Sequence, residues 1–289
     1  MESIELAAYA KINLGLDVVR RLENGYHEVK MVMQTIGLHD TLRLEKKKEG
    51  IALFADSSEA PADENSLAYK AAHLLKEHCG VTEGLAIHLQ KRIPVAAGMA
   101  GGSTDAAAVL KGMNRLFSLG LSEEELCSIG VRLGADVPYC IIGGTALAEG
   151  IGEKLTALPD APDSIVLVAK PPVSVSTRYV YEALKLSEIK KHPDIDGMVN
   201  AVREGSLAGI VARMENVLES VTEKEYSVIT RIKHFMEENG AKKALMSGSG
   251  PTVFGIYENR EAAEKAAEKL LVKEPCAQTA ITAFQRKEW

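Results

Sequence analysis

The segment Pro94, Val95, Ala96, Ala97, Gly98, Met99, Ala100, Gly101, Gly102, Ser103, Thr104, Asp105 is made almost wholly of small residues. It runs straight into helix-forming residues, Ala106 to Phe117. Three glycines let the backbone curl and bring its N–H groups close to a ligand. The first turn of a following helix adds unpaired donors and the positive end of the macrodipole. Loop and helix end together suit an anion, most naturally phosphate; the plain alternative is a tight strand-to-helix turn. No Lys follows the glycines as in G-x-x-x-x-G-K-[ST], and the G-x-G-x-x-G pattern with a ribose-binding acid is absent. Met246-Ser247-Gly248-Ser249-Gly250-Pro251-Thr252-Val253-Phe254 is a second glycine-rich segment, which alone reads as an ordinary β-turn. Lys11 and Asn13 stand two apart on a strand-like stretch and so share a face. A Lys among apolar strand residues needs a partner or a ligand, with a strand-edge salt bridge as the structural alternative. Asp136 lies among small and apolar residues from Leu133 to Tyr139. A helix end or a capping turn is its structural reading, and a carboxylate beside a phosphoryl acceptor its functional one.

The elements that must position these groups follow from pattern. Ile4 to Val19 reads as a strand pair or one bent strand, and Asn24-Gly25 signals a hairpin returning through Val29 to Leu38. Thr41–Leu44 and Ile51–Phe54 flank the charged run 45–50 and predict another hairpin with a solvated tip. A helix is expected over Ser66–Cys79, ending near Gly80, with Asn65 or Ser66 placed to cap it, and a strand over Leu85–Leu89. Ser122 with Glu125 forms a capping-box pattern. Pro159 and Pro162 mark Thr156–Ser164 as an interdomain joint, dividing the chain into 1–158 and 159–289. Beyond it come a buried strand (165–169), helices at 177–185, 195–204, 206–212 and 224–238, strands at 244–246 and 252–257, a helix at 260–271 and a last strand at 278–284. That order gives a small α+β second domain.

A chain of 289 residues can bury a sizeable core, and 46% hydrophobic with 26% charged residues is ordinary for a globular protein. The net charge of −6 argues against nucleic acid or an anionic membrane as the main partner. No signal peptide is visible, and no apolar run reaches the length of a membrane span. Cys79, Cys127, Cys140 and Cys276 form no C-x-x-C pair, so reduced thiols of a cytoplasmic enzyme are the default. His39, His73, His78, His88, His192 and His234 lack metal-like spacing.

Three segments together resemble the motifs of the GHMP kinases: Ala10-Lys11-Ile12-Asn13-Leu14, the Pro94–Thr104 loop, and Met246–Phe254. Met99 stands where that family usually has Leu. Gly134-Ala135-Asp136-Val137-Pro138 matches a further segment of the family, which makes Asp136 the chosen carboxylate. The resemblance implies an α+β, two-domain fold with the active site in the interdomain cleft. It implies ATP held by Pro94 through Thr104, and Lys11 and Asp136 as the catalytic pair. Two more segments, Arg21–Val29 and Val173–Tyr181, resemble one branch of the family, whose acceptor is 4-diphosphocytidyl-2-C-methyl-D-erythritol in the methylerythritol phosphate route to isoprenoids. That likeness implies transfer to the acceptor's 2-hydroxyl, with Tyr26, His27, Thr177 and Tyr181 on the cytidine side. Asn13, Gly248, Ser249 and Gly250 complete the expected substrate site. Mg²⁺ is expected with the ATP; Ser103 or Thr104 could approach it, and no carboxylate ligand is evident by spacing. The expected partner is the small cytidine diphosphate substrate, in a monomer or weak homodimer, with neither nucleic acid nor membrane bound.

Overall fold

The computed structural model describes residues 1–287, and its helices and mixed sheets make it α+β. Two compact units emerge. Met1–Ala10, His39–Val95 and Ala100–Ile142 form the first; Lys11–Leu38, Ala96–Met99 and the chain from Gly143 form the second. Strands β1 (Ser3–Arg21) and β2 (His27–Lys47) therefore contribute residues to both, and so does the first glycine loop. This grouping differs in kind from a single break near residue 158.

In the first unit, β4 (Gly84–Gln90) lies between β2, antiparallel through Thr41–Lys47, and β3 (Ile51–Ala55), parallel. The hairpin expected between residues 41–44 and 51–54 is thus corrected: β3 pairs with β4, not with β2. Burial explains the order. Leu85, Ala86, Ile87 and Leu89 are all buried, as a strand with neighbours on both sides requires, whereas β3 leaves Phe54 55% exposed at the edge. A Cβ on Gly84 would lie 2.4 Å from the Glu49 carbonyl, so glycine allows β4 to start against that turn. Helices α1 (Leu67–Cys79), α2 (Gly101–Leu116), α3 (Glu123–Gly130) and α4 (Val137–Ile142) complete the unit's core, with Ala71, Leu75, Val109, Met113 and Leu126 packed on Leu42, Leu44 and Ile87. Gly80 ends α1 in the left-handed conformation, and the Ser122–Glu125 capping box forms in both directions. Ser66 occupies the N-cap of α1, but its hydroxyl makes no capping bond.

In the second unit, β5 (Thr145–Glu149) pairs with Met31–Gln34 of β2, and β6 (Lys154–Ala157) pairs with β5. A four-stranded antiparallel sheet runs in the order β10 (Gln278–Ala283), β7 (Ile165–Lys170), β9 (Val253–Tyr257), β8 (Lys243–Met246). Around it lie α5 (Thr177–Ala183), α6 (Ile195–Arg203), α7 (Leu207–Val211), α8 (Glu219–Glu225), α9 (Ser227–Glu238) and α10 (Arg260–Lys273). The single helix expected over 224–238 is broken at Tyr226, whose φ of −123° and ψ of 78° leave the helical region.

Candidate active site

The first glycine loop follows β4 and ends in α2, which begins at Gly101, five residues before the helix expected at Ala106. Ala96, Gly98 and Ala100 all adopt positive φ, at 51°, 72° and 60°. A non-glycine residue held there stores roughly 1–3 kcal/mol of strain, the kind of cost functional loops carry. Ala100, at the N-cap, has no capping side chain. The first intrahelical bond is Thr104 N–H to the Ala100 carbonyl, 2.9 Å. The N–H groups of Gly101, Gly102 and Ser103 therefore precede the hydrogen-bonded ladder and gather at the positive helix end. The Thr104 hydroxyl donates to the Tyr9 carbonyl at 2.8 Å, so it anchors the helix to β1. Asp136 sits at the start of α4, half-buried, with its carbonyl accepting the Cys140 N–H at 3.0 Å.

In the second unit, strand alternation puts Lys11 and Asn13 on one face of β1, and both are buried. The Lys11 ammonium donates to Asn13 Oδ1 at 2.7 Å, and the Asn13 amide donates to Met31 Sδ at 3.1 Å. Here the middle of the first loop meets the second. Lys11 N–H donates to the Met99 carbonyl at 3.2 Å, and the Ser247 hydroxyl to the Gly98 carbonyl at 3.0 Å. The Cβ position of Gly248 lies 3.5 Å from Asn13 Oδ1 and 3.6 Å from Lys11 Nζ. Two residues that sequence reasoning missed hold this second loop from behind. The buried Asn216 amide donates to the carbonyls of Met246 and Gly248 at 2.9 and 2.8 Å, and Thr222 donates to the Ser249 carbonyl at 3.2 Å. Neither had a signal: Asn216 lies between short helices where an Asn ordinarily marks a turn.

Thr177 and Tyr181 are one helical turn apart on α5, which Ser176 caps by accepting the Tyr179 N–H. The Thr177 and Ser249 hydroxyls lie 2.9 Å apart, tying α5 to the second loop. The Tyr181 ring meets the imidazole of His27 with centroids 5.4 Å apart and planes tilted by 36°. Its sequence neighbour Tyr26 is 61% exposed. Burial, with the Arg21 guanidinium second, holds the His27 imidazole below its ordinary pKa, so it is neutral at neutral pH. The second unit thus gathers a cation, amide and hydroxyl groups, a glycine turn and a ring pair.

Comparison with known proteins agrees. Residues 66–144 match the family model described as GHMP kinases N terminal domain, and residues 198–274 match GHMP kinases C terminal. A 4-diphosphocytidyl-2-C-methyl-D-erythritol kinase of Caldicellulosiruptor bescii is 54% identical over 93% of this chain and 94% of its own length. The protein of that name from Lachnoclostridium phytofermentans is 52% identical over 98% of both chains. Among solved structures, a 4-(cytidine 5'-diphospho)-2C-methyl-D-erythritol kinase matches with a TM-score of 0.84 and 32% identity, covering 98% of this chain and 100% of the other. A homoserine kinase from Cytophaga hutchinsonii, at 19% identity and a TM-score of 0.79 over 99% of this chain and 96% of its own, shares the fold. The chain belongs to the GHMP kinases, and within them to the 4-diphosphocytidyl-2-C-methyl-D-erythritol kinases.

Proposed function

We propose that this kinase transfers the γ-phosphoryl group of ATP to the 2-hydroxyl of 4-diphosphocytidyl-2-C-methyl-D-erythritol. The products are the 2-phosphate and ADP, within the methylerythritol phosphate route to isoprenoids. The observation that carries the reading is the junction of Lys11, Asn13, Gly98 and Gly248 in one compact unit that also holds the His27–Tyr181 ring pair. Phosphoryl transfer needs positioning and charge stabilisation more than covalent help. In this reading Pro94 through Thr104 wrap the ATP phosphates, and the N–H groups of Gly101, Gly102 and Ser103 offset the charge on them. Lys11 stabilises charge developing along the transfer path. Asp136 orients the acceptor hydroxyl and accepts its proton. Asn13, Gly248, Ser249 and Gly250 shape the acceptor's place, while Tyr26, His27, Thr177 and Tyr181 read its cytidine end.

Mg²⁺ would neutralise phosphate charge when bound. Among the described residues no group of three His, Cys, Asp or Glu could hold a metal ion, which fits a cation brought in largely on phosphates and water. The Thr104 hydroxyl gives its proton to the Tyr9 carbonyl and keeps its oxygen lone pairs, so Ser103 and Thr104 both offer a hydroxyl oxygen to the metal. We assign residues 1–158 to nucleotide binding and 159–289 to the C-terminal kinase domain as a division along the sequence, which falls between the two family matches while the compact units interleave across it. We place the enzyme in the cytoplasm as a monomer or weak homodimer; no described helix is long and apolar enough to cross a membrane.

The test compares the cytidine-bearing acceptor with methylerythritol 4-phosphate, with wild type, Asp136→Asn and Lys11→Ala. Wild type should strongly prefer the former, and equal kcat/KM values would sink the substrate assignment. Asp136→Asn should lose about 10²–10⁴-fold in turnover while ATP affinity holds. The double variant should lose far less than the two single losses combined, since groups acting as a unit are not additive.

A further inference from the structure

Strand β8 is an edge of the four-stranded sheet, paired with β9 alone. Ser247, just past β8, turns its N–H to the Thr252 carbonyl, so alternation points the N–H groups of Ala244 and Met246 away from β9. Both residues are buried, and these two donors need acceptors. Each meets a carboxylate from a helix. Glu237 of α9 accepts the Ala244 N–H at 3.1 Å, and Glu219 of α8 accepts the Met246 N–H at 2.8 Å. Covering a sheet edge accounts for both acids in general terms, yet their settings differ. The Glu237 side chain is 36% exposed and lies 3.7 Å from the Lys243 ammonium, whereas that of Glu219 is 15% exposed and 2.6 Å from Lys233. Lys233, on α9, also holds Glu223, one turn after Glu219 on α8, at 2.6 Å. One Glu219 oxygen thus faces Lys233 and the other faces Met246, where the second glycine loop leaves its strand.

We propose that Glu219 is a positioning residue for the acceptor: braced by Lys233, it sets where the second glycine loop departs from β8, and so where Gly248 and Ser249 stand. The proposal rests on the reading of that loop as a border of the acceptor's place. The path from Met246 to that place is short. The Cβ position of Gly248 lies 3.5 Å from Asn13 Oδ1 and 3.6 Å from Lys11 Nζ. Ser249 comes next, its hydroxyl 2.9 Å from that of Thr177. Asn216 and Thr222 hold carbonyls of Met246, Gly248 and Ser249, all acceptors; Glu219 takes the donor at the loop's root. It also ties that root to a second helix, α9, through an ion pair. Burial raises the Glu219 carboxyl above its ordinary pKa; Lys233 and the Met246 N–H oppose the rise, and Glu223 adds to it. For Lys233, burial pulls the ammonium down, but Glu219 and Glu223 more than restore it. A carboxylate is thus kept where burial disfavours it, a cost that the more exposed Glu237 avoids while doing the same work for the strand edge. With both of its oxygens engaged, Glu219 has little freedom to move, and the N–H it accepts is fixed with it.

Glu219→Ala and Glu237→Ala each strip the carboxylate from one outward N–H of the same strand, and Lys233 keeps Glu223 as its partner in the first. Melting temperature and the KM for acceptor and for ATP are measured for both. A buried N–H without its acceptor should lower the melting temperature in either variant. Glu219→Ala alone should also raise the acceptor KM, by about tenfold, with ATP KM within about twofold of wild type. Glu237→Ala should leave both KM values at wild type. If Glu219→Ala does not fold, a second pair decides. Glu219→Gln keeps an oxygen for Met246 but turns amide hydrogens toward the Lys233 ammonium, donor against donor. It should raise acceptor KM about fivefold, and adding Lys233→Met should return it to within about twofold of wild type. Equal acceptor KM in Glu219→Ala and Glu237→Ala overturns the proposal and leaves both acids as cover for the edge. So does an ATP KM that rises in step with the acceptor's, or a double variant no better than Glu219→Gln. Whether the loop borders the acceptor at all is read separately from Gly248→Asn, which aims a side chain toward Asn13 and Lys11 from a φ of 59° that Asn tolerates. An unchanged acceptor KM there refutes that reading of the loop; a rise there with none in Glu219→Ala refutes the role of Glu219 alone.

Discussion

The two glycine loops look alike in sequence and use their backbones in opposite ways. The first leaves donors free: Gly101, Gly102 and Ser103 precede the ladder of α2, and no side chain caps them. The second closes on itself, with Ser247 N–H bound to the Thr252 carbonyl and Gly250 N–H to the Ser247 carbonyl, both at 2.9 Å. Its outward carbonyls at Met246, Gly248 and Ser249 are taken by Asn216 and Thr222. One loop is flanked by the buried Asp40, Lys91 and Asp105; the other is held by the Asn216 amide, the Thr222 hydroxyl and, at Met246 N–H, the Glu219 carboxylate. Glycine content alone therefore does not identify a phosphate site. What separates the two is which of their backbone groups are already engaged: the second loop's carbonyls and turn-closing N–H groups are bonded, whereas the first three N–H groups of α2 precede its ladder.

The contact between the loops is the place to break this comparison. A Cβ on Gly98 would lie 2.3 Å from the Ser247 carbonyl oxygen and 3.0 Å from that of Gly250, and the residue has φ of 72°. Gly98→Ala must push the loops apart. We expect kcat/KM for both substrates to fall by at least about 100-fold, some 2.7 kcal/mol of transition-state stabilisation, with the melting temperature recording any loss of folding. Near-normal kinetics would show that the loops work independently.

Asn216 sharpens the comparison from the other side, since it supports the second loop alone. Asn216→Asp keeps the acceptor for Leu218 N–H but turns a donor into a carboxylate oxygen facing two carbonyls. Each buried carbonyl left without its partner costs about 1–3 kcal/mol. The expected outcome is a roughly tenfold rise in acceptor KM with ATP KM within about twofold. An equal rise in both would mean that the second loop is part of the nucleotide site.

How much of this was legible in the sequence follows from how local each signal is. The strand alternation that pairs Lys11 with Asn13, the Gly80 helix stop and the Ser122 capping box are set by neighbours in the chain, and all three formed. The pairing of β3 with β4 was not legible, because a charged turn between two apolar runs signals a hairpin whether or not a third strand later inserts. The β5–β6 hairpin went unread beside it. Asp105 did leave a trace, a lone acid opening an apolar helical run from Ala106 to Leu110, but its meaning depends on Asp40 and Lys91, 65 and 14 residues away. Asn216 left none, since its partners lie 30 and 32 residues on.

A smaller effect is expected at His27, on the acceptor side of the comparison. Its imidazole sits below the ordinary 6.5, so at neutral pH it offers one donor and one acceptor. Acceptor KM should stay flat from pH 8 to 6.5 and rise only in more acid solution, where the proton turns the acceptor nitrogen into a second donor. His27→Gln should raise acceptor KM about fivefold at pH 7.5 and remove the acid limb, leaving ATP KM unaltered. An acid limb that survives the substitution would assign it to another group.

Tyr181 carries the smallest expected change and the finest distinction. Its ring lies against His27, and Thr177, one turn earlier on the same helix, meets Ser249 of the second loop. If Tyr181 serves by its face, removing the hydroxyl in Tyr181→Phe should leave acceptor KM within about twofold, since stacking is a property of the ring. Tyr181→Leu keeps apolar bulk and loses the face, and stacking on a base is worth about 1–3 kcal/mol. Even the low end of that range raises acceptor KM about fivefold. Both variants should leave ATP KM unchanged, because the first loop does not depend on α5. Should Phe prove as damaging as Leu, the hydroxyl is the working part, and Tyr181 joins Thr177 and Ser249 as a hydrogen-bonding residue instead of forming a stacking pair with His27.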